Sequence, residues 1–124
     1  MTILNVDDDS EDIEIFCEAV RDIDPSIICL VAKSAEEALK ILNSEIELPQ
    51  FIFLDINMPK IDGKMCLKEI KKDHRLHKIP VIMYSTLSRS SDIEEYKTLN
   101  AGFLVKQNSY YGLVAALKKV LGKG

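Results

Sequence analysis

Short apolar runs alternate along the chain with segments whose apolar residues recur every three or four positions. Runs of this kind predict buried strands, and the three-to-four spacing predicts amphipathic helices. Each strand is followed by a helix, the third at about 64–74 and the fourth at about 91–99. The predicted strands are residues 2–6, 27–32, 51–54, 81–84 and 103–105.

Strict alternation of five strands and five helices predicts an α/β fold with a parallel, doubly wound sheet covered by helices on both faces. The length of 124 residues suits one domain. Because no run of Gly, Ser or Pro and no low-complexity tract marks a linker between domains, we expect a single domain over residues 1–124 and no output domain. The fourth helix has the weakest apolar stripe, mainly Ile93 and Tyr96, which predicts loose packing or a functional face.

Polar side chains stand at the carboxyl ends of most of the predicted strands. Asp7 and Asp8 follow the first strand, Asp55 the third, Ser85 the fourth and Lys106 the fifth. In parallel α/β sheets these ends share one edge, where ligands bind. Each residue alone has an ordinary interpretation: the acids as helix caps, Ser85 as a turn residue and Lys106 as a surface side chain. Their coincidence at one edge favours a functional site.

Carboxylates grouped in this way predict a divalent cation. Asp7, Asp8 and Asp55 would repel one another unless a cation lay among them, and carboxylate oxygens suit Mg²⁺. The amine of Lys106 and the hydroxyl of Ser85 would bind the oxygens of a phosphoryl group. Asp55 is then the candidate nucleophile, which would form an acyl phosphate.

Four segments carry a family resemblance: VDD at 6–8, LDINMPKIDG at 54–63, PVIMYS at 80–85 and AGFLVK at 101–106. Together they resemble a response-regulator receiver domain of the CheY-like kind, along essentially the whole chain. The resemblance implies a flavodoxin-like (βα)5 fold with strand order 2-1-3-4-5. It also implies a signalling domain that accepts a phosphoryl group and is not an enzyme acting on a separate substrate.

The same resemblance implies roles for the acidic residues. Asp55 would accept a phosphoryl group from a sensor histidine kinase or a phosphotransfer protein. Mg²⁺ would be held by Asp8, Asp55 and the backbone carbonyl of Asn57, with Asp7 acting through water.

Further roles follow from the resemblance at the fourth and fifth strands. Ser85 and Lys106 would contact the phosphoryl oxygens, and the Phe103 ring would reorient on activation. A downstream protein target would bind the face formed by the fourth helix, the fifth strand and the last helix. The protein would act as a monomer or as a homodimer through that face.

Gln107 departs from the family pattern, since receivers commonly carry proline after the lysine. Without proline a cis peptide is costly, so we predict a trans bond between Lys106 and Gln107. The ending without proline, together with the Ser-rich loop after Ser85, resembles the stand-alone receivers paired with bacterial phytochrome kinases.

Three other classes of protein share part of this pattern. A haloacid-dehalogenase-type phosphatase needs a second carboxylate two residues after the nucleophile, where this chain has Asn57. A flavodoxin would bind FMN at its first loop, but the acids at 7–9 would repel that anion. A phosphorylation-independent interaction module is favoured by Gln107, whereas the intact acids, serine and lysine argue against it.

Composition limits the partners. The chain has 16 basic and 20 acidic residues and a net charge of −4, which argues against direct binding of nucleic acid or insertion into a membrane. No apolar run approaches the length of a membrane span, so we expect a cytoplasmic protein.

Cys17, Cys29 and Cys66 lie far apart along the sequence without CxxC spacing, and we expect buried reduced thiols and no metal or redox site.

Overall fold

The computed structural model describes residues 1–44, 47–56, 63–85 and 90–122, with side chains for all of these except 90–92. The strands are β1 (Thr2–Val6), β2 (Ile28–Ala32), β3 (Phe51–Asp55), β4 (Val81–Ser85) and β5 (Gly102–Val105). The helices are α1 (Ser10–Ile23), α2 (Ala35–Ser44), α3 (Gly63–Lys72), α4 (Ser90–Thr98) and α5 (Tyr110–Leu121). The bounds differ from the predicted ones by at most two residues. In the part of the chain that is described, none of the helices has the length and apolar character needed to cross a bilayer.

The five strands form one parallel sheet in the order β2-β1-β3-β4-β5, which confirms the predicted fold. β1 lies between β2 and β3, and its last residue, Val6, is opposite both Ala32 and Leu54. Ser85 at the end of β4 is opposite Val105 at the end of β5. The carboxyl ends of the strands are therefore level, and the order of the strands reverses beside β1, where such sheets form a binding crevice.

Two apolar clusters, one on each face of the sheet, make up the core. One cluster joins α2, α3 and α4 to the sheet and contains Leu67, and the other joins α1 and α5 and contains Phe16. Successive side chains of a strand point to opposite faces, so Leu54 lies in the first cluster and Phe53 in the second. This explains why the central strands are apolar at almost every position.

Helix α4 is the least buried part of the helical layers, as its weak apolar stripe predicted. Tyr96 is its one buried side chain among those described, and Ile93 is half-buried. The Tyr96 ring stacks on Phe103 of β5, with ring centroids 5.9 Å apart and planes at 10°. Glu95 of α4 also pairs with Lys64 of α3 at 3.1 Å. The described contacts of α4 with the sheet therefore centre on Tyr96.

The expectation of buried thiols is wrong for Cys17 and Cys29. Their sulfur atoms lie 3.1 Å apart, and both residues are half-buried. They meet because α1 packs beside the edge strand β2, which brings together residues 12 apart in the chain. Cys66 on α3 is buried, as predicted.

The peptide bond after Lys106 is trans, as predicted from Gln107, since no cis peptide occurs among the described residues. The Gln107 side chain folds back, and its Nε2 donates a hydrogen bond of 2.8 Å to the Val105 carbonyl oxygen. Helix α5 then begins at a cap formed by Ser109, whose Oγ accepts from the Gly112 amide at 3.0 Å. Residues 106–109 thus connect the end of β5 to α5, with these two hydrogen bonds made within and next to the connection.

Candidate functional site at the carboxyl edge of the sheet

Three aspartates meet where β1 and β3 end. Asp7 is the first residue after β1 and is 1% exposed, and its amide donates to the Ala32 carbonyl oxygen at 3.0 Å. Asp55 is the last residue of β3 and is 6% exposed, whereas Asp8 is exposed. One carboxylate oxygen from each of the three lies within 4.8 Å of the others. The structure thus brings together the acids that were predicted to converge.

This set of oxygens fits a small divalent cation. Two ligands on opposite sides of Mg²⁺ are about 4.2 Å apart, because each metal–oxygen distance is about 2.1 Å. Adjacent ligands of an octahedral Mg²⁺ ion are closer, about 3.0 Å apart, so oxygens within 4.8 Å of one another could hold the ion after moving together by up to about 2 Å, or with a bridging water. Asp7, Asp8 and Asp55 are therefore the residues that could hold the ion. The carbonyl of Asn57, the other predicted ligand, lies outside the described residues.

The environment of Asp7 is short of positive charge. Burial raises the pKa of Asp7 to about 6, since the charged carboxylate loses its hydration. The amide of Asp9 donates to Asp7 Oδ1 at 3.0 Å and Lys106 Nζ lies 3.5 Å from Oδ2, and both contacts lower the pKa. The charge of Asp55 and a hydrogen bond between the two carboxyl groups raise it. A divalent cation would supply the missing charge.

Lys106 brings a positive charge to the same place. It follows β5, and its amide donates to the Ser85 carbonyl oxygen at 2.8 Å. Its Nζ lies 3.5 Å from Asp7 Oδ2, 3.9 Å from Asp55 Oδ2 and 2.8 Å from Asp12 Oδ2. Burial acts to lower the pKa of Lys106, but the hydrogen bond to Asp12 and the charges of Asp7 and Asp55 raise it overall. The amine is therefore protonated at neutral pH.

Asp12 joins the site although no sequence pattern predicted it. Its contact with Lys106 is the shortest ion pair of that lysine among the described residues. Asp12 lies in the first turn of α1, which begins here because Asp9 Oδ1 accepts from the amides of Glu11 at 2.9 Å and Asp12 at 3.2 Å. The acidic first turn was visible in the sequence. Nothing in the spacing linked it to a lysine 94 residues away.

The aromatic ring of Tyr84 contacts the charged end of Lys106. Lys106 Nζ lies 5.2 Å from the ring centroid, within the range of a cation–π contact. Burial raises the pKa of Tyr84 to about 12, so its phenol is neutral at physiological pH. A cavity of about 230 Å³ adjoins Lys106, Tyr84 and Asp12. The lysine head group thus borders open space on the side of Asp12 and Tyr84.

Ser85 and Phe103, the two residues predicted to act as a switch, lie on adjacent strands. Ser85 is the last residue of β4 and is 1% exposed. Phe103 is opposite Met83 in the register of β4 and β5, and its half-buried ring contacts Tyr96 of α4. The structure therefore places one residue at the acidic edge and the other beneath α4. Their movement on activation stays a prediction.

Gly63, the last residue of the segment 54–63 that carries the family resemblance, has a structural role at this edge that the sequence pattern did not show. A Cβ at this position would lie 2.6 Å from the Asp55 carbonyl oxygen and 2.9 Å from the Ile56 Cα. The Gly63 amide also donates to the Ile56 carbonyl oxygen at 3.3 Å. Glycine is needed because α3 begins against the backbone that carries the Asp55 side chain.

The sequence and the fold were compared with those of known proteins. The sequence model of one protein family, the response regulator receiver domain, matches residues 3–118. The response regulator Rcp1 of Synechocystis sp. is 34% identical over 96 residues, covering 73% of this chain and 65% of Rcp1. The chain spans less than two thirds of the length of the first curated relatives that it matches, from 14% to 65%.

Solved structures agree with this assignment. The phosphorylated cyanobacterial phytochrome response regulator RcpA is 30% identical, with a TM-score of 0.86 over 96% of this chain and 89% of that chain. The Mn²⁺-bound form of response regulator Rcp1 is 25% identical, with a TM-score of 0.83 over 96% of this chain and 90% of that chain. Bacteriophytochrome response regulators are also among the similar structures, which agrees with the subgroup that the sequence resembles.

Proposed function

Because the chain belongs to the family of response regulator receiver domains, we propose that it accepts a phosphoryl group on Asp55 from a phosphorylated histidine kinase or phosphotransfer protein. The observation that carries this proposal is the group of Asp7, Asp8 and Asp55 beside Lys106 at one edge of the sheet. Within that group Asp55 is the acid that ends a buried strand and faces both the acidic pair and the lysine. It is therefore the acceptor, and residues 1–124 act as one receiver domain.

The proposed chemistry is an in-line displacement at phosphorus. A carboxylate oxygen of Asp55 forms the new P–O bond while the P–N bond to the donor imidazole breaks, and the histidine leaves with the bonding electrons. Lys106 Nζ, 3.9 Å from Asp55 Oδ2, binds one phosphoryl oxygen, and the Ser85 hydroxyl donates to another. When bound, Mg²⁺ supplies positive charge against the phosphoryl oxygens. The reaction makes a covalent acyl phosphate on the protein itself, so the chain is an acceptor and not an enzyme acting on a separate substrate.

The acids take different roles in holding the metal. By the resemblance to receiver domains, Asp8, Asp55 and the carbonyl of Asn57 would hold the ion directly, and Asp8 is exposed at this edge. Asp7, which is buried and accepts the Asp9 amide at 3.0 Å, would hold the ion through water. The similar structure of response regulator Rcp1 is a Mn²⁺-bound form, which supports the binding of a divalent ion by a protein of this fold.

The signal leaves through the face formed by α4, β5 and α5. Movement of Ser85 toward the phosphoryl group changes the space beside β5, and the half-buried Phe103 ring turns inward. Because Phe103 stacks on Tyr96, α4 moves with it. This face binds a downstream protein or a second copy of the chain, and the kinase belongs to the phytochrome class.

Phosphorylation of the purified protein tests the proposal. Incubation with acetyl phosphate and Mg²⁺ should add the mass of one phosphoryl group to the intact chain, and Asp55→Asn should abolish the gain. Glu36→Gln, which removes an exposed acid of α2, is the matched control and should label like the parent protein. EDTA and Asp8→Ala should each suppress labelling.

Two results would overturn this function. Labelling that persists in Asp55→Asn would exclude Asp55 as the acceptor. A parent protein that gains no mass from acetyl phosphate or from a phosphorylated kinase would instead be a phosphorylation-independent interaction module.

A further inference from the structure

The contact between Cys17 and Cys29 has no role in the chemistry at Asp55. Cys17 lies on α1 and Cys29 in β2, and their sulfur atoms are 3.1 Å apart. Cys29 is opposite Ile3 near the start of β1, whereas the acidic group follows the end of that strand. The two thiols therefore form a separate feature near the amino end of the sheet.

Small molecules have access to this pair. A cavity of about 230 Å³ is lined by both cysteines together with Arg21 and Pro25. Cys17 also lines a second surface cavity beside Glu14. Both cysteines are half-buried, in contrast with Cys66, which is 0% exposed. A reagent as small as a peroxide can thus reach the sulfur of Cys17 from the surface.

The two sulfurs differ in acidity. The hydrogen bond with Cys29 lowers the pKa of the Cys17 thiol to about 7, partial burial opposes this, and the positive charge of Arg21 adds to the lowering. The same hydrogen bond raises the pKa of Cys29. Burial raises the pKa of Cys66 to about 12. Because the thiolate is the reactive form of cysteine, Cys17 is the nucleophile of the pair and Cys29 its neutral neighbour.

We propose that Cys17 and Cys29 are an oxidisable pair that a hydroperoxide converts into an intramolecular disulfide. The Cys17 thiolate attacks one peroxide oxygen, the O–O bond breaks, and after protonation the products are a Cys17 sulfenic acid and water. Cys29 sulfur then attacks Cys17 sulfur, the S–O bond breaks, and hydroxide leaves and takes the Cys29 proton as a second water. For hydrogen peroxide the sum is two thiols and one peroxide giving one disulfide and two waters.

The geometry favours this product over other oxidised forms. A disulfide has an S–S length of about 2.05 Å, so sulfurs that are 3.1 Å apart need to approach by about 1 Å. Since Cys29 is already in contact, it can trap the sulfenic acid before a second chain does. The link would join α1 to the edge strand β2 and close a loop between residues 12 apart.

Oxidation of the full chain tests the inference. The protein is treated with hydrogen peroxide, remaining thiols are alkylated with iodoacetamide in denaturant so that buried Cys66 also reacts, and the intact mass is measured with and without prior reduction. The expected product is monomeric, lacks two hydrogen atoms and takes up a single alkyl group, at Cys66. Peptide mapping should find the peptides of Cys17 and Cys29 joined.

Two variants keep the test specific. Cys66→Ala should form the disulfide at the same rate as the parent protein and then take up no alkyl group. Cys29→Ser should instead yield a Cys17 sulfenic acid, detected with dimedone, or a disulfide between two chains. The alkylation rate of Cys17 measured over pH should rise about tenfold per pH unit below neutrality and level off above its pKa.

Other outcomes would overturn the proposal. It fails if Cys17 and Cys29 both remain fully alkylatable in the parent protein after peroxide treatment. It also fails if the parent protein forms mainly chain-to-chain disulfides, or if Cys17 is oxidised to the sulfinic acid while Cys29 stays free. None of these results depends on phosphorylation of Asp55. Failure of the disulfide proposal would therefore leave the proposed phosphorylation untouched, and the reverse also holds.

Discussion

The ion pair between Asp12 and Lys106 gives the sharpest test of how this site works. Lys106 Nζ lies 2.8 Å from Asp12 Oδ2 but 3.9 Å from Asp55 Oδ2. In the proposed function the same amine must bind a phosphoryl oxygen on Asp55, so it has to leave Asp12 first. Asp12 then acts as a positioning residue that holds the lysine in a resting place. Asp12→Asn removes the charge and should release Lys106.

The size of the effect follows from the exposure of the two side chains. Asp12 is 41% exposed and Lys106 15% exposed, which places the pair between surface and interior. An ion pair of this kind contributes about 1 kcal/mol. Since 1 kcal/mol corresponds to a factor of about five, Asp12→Asn should raise the initial rate of phosphorylation about fivefold. Loss of the repulsion between Asp12 and the incoming phosphoryl group acts in the same direction.

The assay is the mass gain with acetyl phosphate and saturating Mg²⁺, followed over time. Glu11→Gln is the matched control, because it removes the same charge from the first turn of α1, at a residue that is not among the ion-pair partners of Lys106 in the described part of the chain. It should change the rate by less than about twofold. An unchanged or slower rate in a folded Asp12→Asn protein would refute the resting position. Equal acceleration in both variants would assign the effect to overall charge and not to the ion pair.

Three further predictions concern the rest of the site. Gly63→Ala should lower the free energy of unfolding by about 1–3 kcal/mol, because the new Cβ would lie 2.6 Å from a backbone oxygen. Gly102→Ala is the control and should cost less, because the atom nearest to its Cβ is 3.6 Å away. Urea denaturation measures both, and equal losses would contradict the steric reason. In the presence of chelator, Asp7→Asn should stabilise the protein by about 3 kcal/mol at about pH 8 and hardly at all at about pH 4. The sign follows because the pKa of Asp7 rises from 3.8 to about 6 in the folded protein. The stability that protonated Asp7 contributes is therefore complete below pH 3.8 and is lost as the pH rises through 6. A stability difference between the two proteins that does not depend on pH would refute this prediction. Beryllofluoride should change hydrogen exchange in residues 90–98 and around Phe103 together, and changes confined to α1 and α2 would exclude the proposed route of the signal.

The fold could be predicted almost completely from the sequence, for a physical reason. Strands buried on both faces are apolar at successive positions, so 51–54 and 81–84 stand out without any alignment. The ends of the strands were harder to predict, because β3 and β4 include the polar residues Asp55 and Ser85, which the apolar pattern excluded. A strand ends where its backbone pairing ends, and not where its side chains become polar.

The acidic group was predictable because it depends on strand ends alone. Parallel strands fix which ends meet, so the convergence of Asp7, Asp8 and Asp55 follows from topology. The contact of Asp12 with Lys106 and that of Cys17 with Cys29 depend on how α1 is rotated and where it packs on the sheet. Helix rotation is set by many small packing contacts, which no spacing in one sequence encodes.

The burial of Tyr96 distinguishes the positions of α4 that must be kept for packing from those that can change during evolution. Among its described side chains only Tyr96 is buried, while Glu94, Lys97 and Thr98 are exposed. Substitutions at exposed helix positions usually alter stability by less than about 0.5 kcal/mol, so these positions can diverge without disturbing the acidic edge of the sheet. Duplicated copies of such a chain could therefore acquire new binding partners while keeping Tyr96, Phe103 and the acidic edge of the sheet unchanged.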